Sequence, residues 1–210
     1  MDVLVFVLLL TVYIWLVLPW SAAKPSVNTA FTLAAIALAV ISMWWKGVTR
    51  KQSGLRLDNL PAALAAYLGC SAAYAGAVLL LYRNSLVVPV LPAATGSSLY
   101  YRIGWPLLWA FLQQLCLLSF LFNRLRRILG REVPAILATA GLFAFFHVPN
   151  PFLILYTLGG GLLAAFLFRR WPNLPAASLA HALASALVGG FLPREVTGWM
   201  RVGPLYWWVK

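Results

Sequence analysis

Apolar runs about as long as a bilayer is thick alternate with short polar connections along most of the chain. A membrane-spanning helix needs about 20 predominantly apolar residues. The runs that meet or approach this length predict seven spans, at Val3–Trp20, Asn28–Trp45, Leu60–Tyr82, Gly104–Phe122, Val133–His147, Phe152–Phe168 and Leu174–Phe191.

The C-terminal stretch Val196–Val209 is rich in tryptophan but is interrupted by Arg201, Gly203 and Pro204. It predicts either a short eighth span or a segment lying at the membrane interface, where tryptophan and tyrosine are common. The expected fold is therefore all-α: a polytopic transmembrane helical bundle of seven to eight spans, forming a single integral membrane domain over residues 1–210.

The composition agrees with this interpretation, since 63% of the 210 residues are hydrophobic and only 10% are charged. A net charge of +12 could indicate nucleic-acid binding, but the positive charges concentrate in Lys46–Arg56, Arg124–Arg131 and Arg169–Arg170. All of these connections fall on one side of the predicted bundle, as the positive-inside rule requires. We therefore expect a multi-pass protein of the cell (inner) membrane with a cytoplasmic N-terminus, surrounded by membrane lipids, and no nucleic-acid partner.

Polar side chains inside the spans are few, and such residues merit a functional hypothesis because they are costly in a bilayer. Gln113 and Gln114 are adjacent in FLQQLCLLSFLFNRLRR, and His181 lies one helical turn before Ser185 in ASLAHALASAL. His147 follows Phe143 by four residues in GLFAFFHVPNP, where the following prolines place it near a helix end. Taken alone, His181 is adequately explained as a hydrogen-bonded histidine between closely packed helices.

A metal site is not expected. The chain has 2 histidines, both in or beside apolar helices, and its 4 acids lie outside the apolar runs. Zinc needs three or four nitrogen, sulfur or oxygen ligands, which these residues do not supply. We predict no bound metal and no cofactor.

Together the three quoted segments resemble the CAAX protease and bacteriocin-processing (CPBP, or Abi) family of intramembrane proteases, from about Leu55 to Gly190. The resemblance implies a CPBP-like core over residues 55–190, an α-helical bundle whose active site lies within the membrane. The family's motifs are E-E-x-x-x-R, F-x-x-x-H and H-x-x-x-N. In the family, the first glutamate and the second-motif histidine activate water, and the third motif stabilises the oxyanion of peptide hydrolysis.

The match is incomplete in the first and third motifs. Gln113 and Gln114 replace the two acids, Leu118 replaces the arginine, and Ser185 replaces the asparagine. An amide cannot accept a proton as a carboxylate does. Because a buried arginine without its acid would be an unpaired charge, the loss of both charges resembles a motif neutralised as a unit.

Two functions stay open on these grounds. One is a divergent endopeptidase acting on membrane-tethered or lipidated peptides, with His147 as base, Gln113 positioning water, and His181 with Ser185 holding the oxyanion. Gln114 would belong to the same site. The other is a pseudoprotease that binds such a peptide without cutting it. A transporter or channel is disfavoured, because the predicted spans contain no acidic or basic residue other than the histidines and no obvious ion pathway.

Overall fold

The computed structural model describes residues 1–21, 25–88 and 103–208, and every regular element within them is helical. We number the main helices α1 (Asp2–Trp20), α2 (Pro25–Trp45), α3 (Leu60–Leu81), α4 (Trp105–Leu129), α5 (Glu132–Phe145), α6 (Pro151–Arg170) and α7 (Leu174–Phe191). Short helical segments are Arg50–Ser53, Arg83–Ser85, Arg194–Thr197, Gly198–Met200 and Gly203–Tyr206.

Two of the long helices contain wider π-helical segments. In α1, Tyr13–Val17 joins Asp2–Val12 to Leu18–Ser21, and in α4, Leu115–Phe122 joins Trp105–Gln114 to Asn123–Leu129. Such segments are uncommon and occur often at functional sites. The one in α4 begins directly after the two adjacent glutamines.

In the described part of the chain, six helices are long and apolar enough to cross a membrane, so the prediction of seven to eight spans is not confirmed. The predicted span Val133–His147 corresponds to α5, which has 14 residues and ends at Phe145. At a rise of 1.5 Å per residue, a helix of this length covers about 21 Å, short of a hydrocarbon layer of about 30 Å. The described part of Val196–Val209 forms short turns instead of an eighth span.

The three basic connections lie at one end of the bundle, which we call the basic end. Arg124 pairs with Asp2 at the start of α1 (N–O distance 2.7 Å), and Arg169 pairs with Glu132 at the start of α5 (2.9 Å). The amide of Leu174 donates to the carbonyl of Gly54 (2.8 Å), which ties the start of α7 to the same end.

Helices α5 and α6 pack closely through small residues. A Cβ on Gly161 would lie 3.0 Å from Ala140 Cα, closer than side chains normally approach a backbone. The missing side chain at Gly161 therefore lets the two helix backbones approach closely. The short turn that joins the two helices lies at the opposite end, where Asn150 begins α6 and accepts from the amide of Leu153 (3.1 Å).

The C-terminal segment Pro193–Tyr206 folds back over this turn. The fully buried amide of Asn150 donates to the carbonyls of Thr197 (2.9 Å) and Arg201 (3.1 Å), and the amide of Gly203 donates to the carbonyl of Val148 (2.9 Å). Non-helical backbone at membrane depth is tolerated only when protein covers it and satisfies its hydrogen bonds. The C-terminal segment provides this cover, which explains how α5 can end short of the opposite face.

Candidate functional site

A cavity of about 420 Å³ opens between α3, α4, α6 and α7. Its wall contains every site residue that the sequence predicted: Gln113, Gln114, His147, His181 and Ser185. These residues come from α4, the turn after α5, and α7, so the fold brings together side chains that are far apart in the chain. Their catalytic role stays a prediction.

Gln114 and His181 form a direct hydrogen bond across the cavity wall, with 2.7 Å between Gln114 Nε2 and His181 Nδ1. An amide nitrogen can only donate, so the ring nitrogen Nδ1 accepts and the neutral imidazole carries its proton on Nε2. Gln114 is 3% exposed and its carbonyl oxygen Oε1 has no hydrogen-bond partner. The glutamine therefore fixes the orientation of His181 and leaves one buried acceptor unused.

His147 is oriented by the backbone of α5. Its Nδ1 lies 2.6 Å from the carbonyl oxygen of Phe143, which can only accept, so Nδ1 carries the proton and Nε2 is left with its lone pair. The Phe143 ring packs edge-on against the imidazole of His147, with centroids 4.9 Å apart, and lies 6.2 Å from that of His181. His147 thus presents a hydrogen-bond acceptor at Nε2, whereas His181 presents a donor at its Nε2.

The depth of the site follows from helix lengths. His181 lies seven residues after Leu174, the first residue of α7, or about 10 Å along the helix from the basic end. Gln113 lies eight residues after Trp105, which places it about 12 Å from the other end of α4. His147 lies in the turn after α5, two residues beyond the last residue of that helix.

Gln113 and Ser185 complete the predicted set. Gln113 lies in the wall of the main cavity and also in that of a second, apolar cavity of about 310 Å³ between α1, α2, α4 and α5. Ser185 lines the main cavity one turn after His181. The two cavities share Trp109, Gln113, Phe143, His147 and Met200 as a dividing wall.

The sequence interpretation missed two groups of lining residues. Tyr67, Ser71 and Tyr74 on α3 have the i, i+4, i+7 spacing of a single helix face, and all three line the main cavity. That spacing was a usable signal. The sequence contains no comparable signal for Met200. Trp199 and Met200 adopt left-handed backbone conformations (φ 57° and 54°) that local sequence does not predict.

Among the residues that the structure describes, the lining of the main cavity contains no Asp, Glu, Lys or Arg. Leu118, at the position of the family's arginine, is fully buried among apolar residues. Within residues 1–21, 25–88 and 103–208, no group of three or more histidine, cysteine or acidic side chains could hold a metal ion. The chemistry available here is hydrogen bonding by neutral amides, hydroxyls and imidazoles.

Comparison with known families bears on this geometry directly. Residues 95–187 match the family model described as Type II CAAX prenyl endopeptidase Rce1-like. The resemblance to the CAAX protease family is confirmed. The match contains all the predicted site residues of this CAAX-protease-like cavity, whereas α3 and Met200 lie outside it. No curated protein and no solved structure matches the chain.

Proposed function

We propose that this membrane protein uses its CAAX-protease-like cavity to bind a membrane-tethered or lipidated peptide without hydrolysing it. The observation that carries the proposal is the hydrogen bond from the Gln114 amide to His181 in a cavity without acids. In the related proteases a carboxylate at the first motif serves as proton acceptor for the attacking water. A glutamine can hold a water or a peptide amide by hydrogen bonds, but it cannot take up the proton.

Size and surroundings favour a peptide. A volume of about 420 Å³ falls within the range of ligand-binding pockets and accommodates a few residues of extended chain. The name of the matched family refers to an endopeptidase of prenylated CAAX sequences, and a prenylated peptide is therefore the first ligand to try. The apolar second cavity adjoins the site at Phe143 and His147.

Site-specific photo-crosslinking tests this function. A photoreactive residue at Ala184, which lines the cavity, should capture a prenylated or acylated peptide in membranes, and mass spectrometry should find the captured peptide intact. The matched control is Leu183, the preceding residue, whose side chain is 47% exposed on the outside of the bundle. Equal capture from both positions, or capture of lipid alone from Ala184, would contradict the proposal.

A second candidate is the divergent endopeptidase, and the orientation of His147 favours it. With Nδ1 committed to the Phe143 carbonyl, Nε2 is free to accept a proton from water, while His181 Nε2 and the Ser185 hydroxyl can donate to an oxyanion. This function requires cleavage of the same peptide by the purified wild-type protein and its loss in His147→Ala. A wild-type protein that binds the peptide and does not cleave it would rule this second candidate out.

We also propose that the basic end faces the cytoplasm. The paired residues Asp2 and Arg124 place the N-terminus at that end, together with the basic connections. Impermeant cysteine labelling of a single engineered cysteine at Gly47 or Gly130, both exposed turns, should then require a permeabilised membrane.

A further inference from the structure

The cavity face of α3 carries a row of hydroxyl groups that the function described so far does not use. Tyr67, Ser71 and Tyr74 line the cavity on one face of the helix. Tyr67 lies seven residues after the first residue of α3, as His181 does in α7, and both helices begin at the basic end. The hydroxyl row therefore stands at the depth of the histidine site.

Two buried polar atoms of this cavity have no hydrogen-bond partner among the described residues. Tyr67 is 2% exposed and its hydroxyl makes no hydrogen bond to the described residues. The side-chain carbonyl oxygen of Gln114 is also buried and makes none. A buried polar group left without a partner is unfavourable, because it has lost its hydrogen bonds to water and gained none. Tyr74, by contrast, already donates to the carbonyl of Tyr156 (2.8 Å).

We propose that Tyr67, Ser71 and Gln114 form a subsite for the backbone of an extended peptide, an inference that rests on the peptide-binding function proposed above. Four residues of helix advance by about 6 Å, and two residues of extended chain advance by about 6.6 Å. Successive carbonyls on one side of an extended peptide can therefore accept from Tyr67 and Ser71 in turn. The Gln114 carbonyl oxygen accepts an N–H of the same peptide.

The alternative occupants fit these atoms less well. A prenyl or acyl chain has no hydrogen-bonding group and would leave both buried atoms unpartnered. An ion finds no opposite charge in the lining. A peptide backbone supplies a carbonyl acceptor and an N–H donor at each residue. The carbonyls can accept from the hydroxyls of α3, and an N–H can donate to the Gln114 oxygen.

The test measures coupling between single hydroxyls and single peptide bonds. The probe is the peptide captured from Ala184, prepared with a backbone ester at one position at a time, since an ester weakens the carbonyl as acceptor and removes the N–H. Tyr67→Phe and Ser71→Ala should each weaken binding of the all-amide peptide roughly 3–10-fold, the value of one hydrogen bond. In the wild-type protein, an ester at the carbonyl that accepts from Tyr67 should weaken binding, and in Tyr67→Phe the same ester should weaken it no further. An ester two residues away should behave in the same way toward Ser71→Ala.

Tyr82→Phe is the matched control, because Tyr82 directly follows α3 and its ring packs on Phe152 away from the cavity. It should bind every ester probe as the wild-type protein does. If the wild-type protein binds the peptide but no ester position couples to either hydroxyl, the subsite is wrong and the peptide-binding function stands. If the wild-type protein does not bind the peptide at all, both are wrong.

Discussion

Gln114 and Leu118 stand four residues apart on α4, where the family motif has an acid and an arginine. Leu118 is fully buried, and Gln114 is buried and bonded to His181. An arginine at position 118 would be buried, and the residue one turn before it is the neutral Gln114, which cannot pair with its charge. At the scale of single residues, the neutral Gln114 therefore accompanies the neutral Leu118. Replacing only one of them with the charged residue of the family motif would bury an unpaired charge.

This consistency gives a prediction for stability. Leu118→Arg alone should destabilise the protein by about 3–5 kcal/mol, because it buries an unpaired guanidinium. Adding Gln114→Glu should recover a large part of that loss by supplying the partner. Thermal unfolding in detergent micelles measures both variants. A double variant no more stable than Leu118→Arg would show that the two positions are not paired in this fold.

The residues of the site were identified from the sequence through their family spacing, but their contacts were not. The motif pattern placed Gln113, Gln114, His147 and His181 in one site, and the cavity contains all of them. Tyr67, Ser71 and Tyr74 share one face of α3, but this spacing alone does not distinguish residues that line a cavity from residues that pack against a neighbouring helix. Their role depends on a cavity that forms only when α3 meets α7.

At the scale of elements, hydrophobic length predicted the long helices well, because a run of about 20 apolar residues has few alternatives. The same criterion failed for α5. Its apolar run extends to His147, and the helix ends at Phe145, close to Pro149 and Pro151, which cannot continue it. Hydrophobic length alone did not show that the following turn is covered by the C-terminal segment and bonds to it. These hydrogen bonds join residues about fifty positions apart, such as Asn150 and Arg201, and local sequence patterns do not contain them.

The close packing of α5 on α6 leads to a second prediction. Gly161→Ala should destabilise the protein by about 1–3 kcal/mol, since the new Cβ would lie 3.0 Å from the backbone of Ala140 and 3.3 Å from the Phe143 ring. It should also weaken peptide capture from Ala184, because Phe143 braces both histidines. Thermal unfolding and crosslinking yield measure the two effects.

Gly141→Ala is the control, because no described atom outside its own helix backbone lies within 4 Å of the added Cβ, and Gly141 lines neither cavity. This variant should unfold near the wild-type temperature and capture peptide normally. Equal effects of the two substitutions would mean that the loss does not come from the contact of position 161 with Ala140 and Phe143.

At the scale of the whole molecule, a largely buried ion pair joins α1 to α4 at the basic end of the bundle. Arg124 is 7% exposed, pairs with Asp2, and donates through Nη2 to the carbonyl (2.8 Å) and hydroxyl (2.7 Å) of Ser42. The positive-inside pattern correctly grouped Arg124 with the basic connections. It could not reveal that this arginine faces the protein interior, because burial depends on the arrangement of α1, α2 and α4.

A double-mutant cycle tests this pair. Asp2→Ala should cost roughly 1–3 kcal/mol, less than a fully buried pair because Asp2 retains a quarter of its exposure. Arg124→Met in the Asp2→Ala background should cost much less than Arg124→Met in the wild-type protein, since the guanidinium has already lost its partner. Additive losses in unfolding free energy would show that the two charges do not interact.

The central claim is that the cavity retains the peptide-binding arrangement of the family but lacks its proton acceptor. The most direct measurement is hydrolysis of a prenylated peptide by two purified proteins: the wild-type chain, and the variant carrying Gln113→Glu, Gln114→Glu and Leu118→Arg. The account predicts that both proteins bind the peptide and that only the variant cleaves it. Cleavage by the wild-type protein that is lost in His147→Ala would contradict the account.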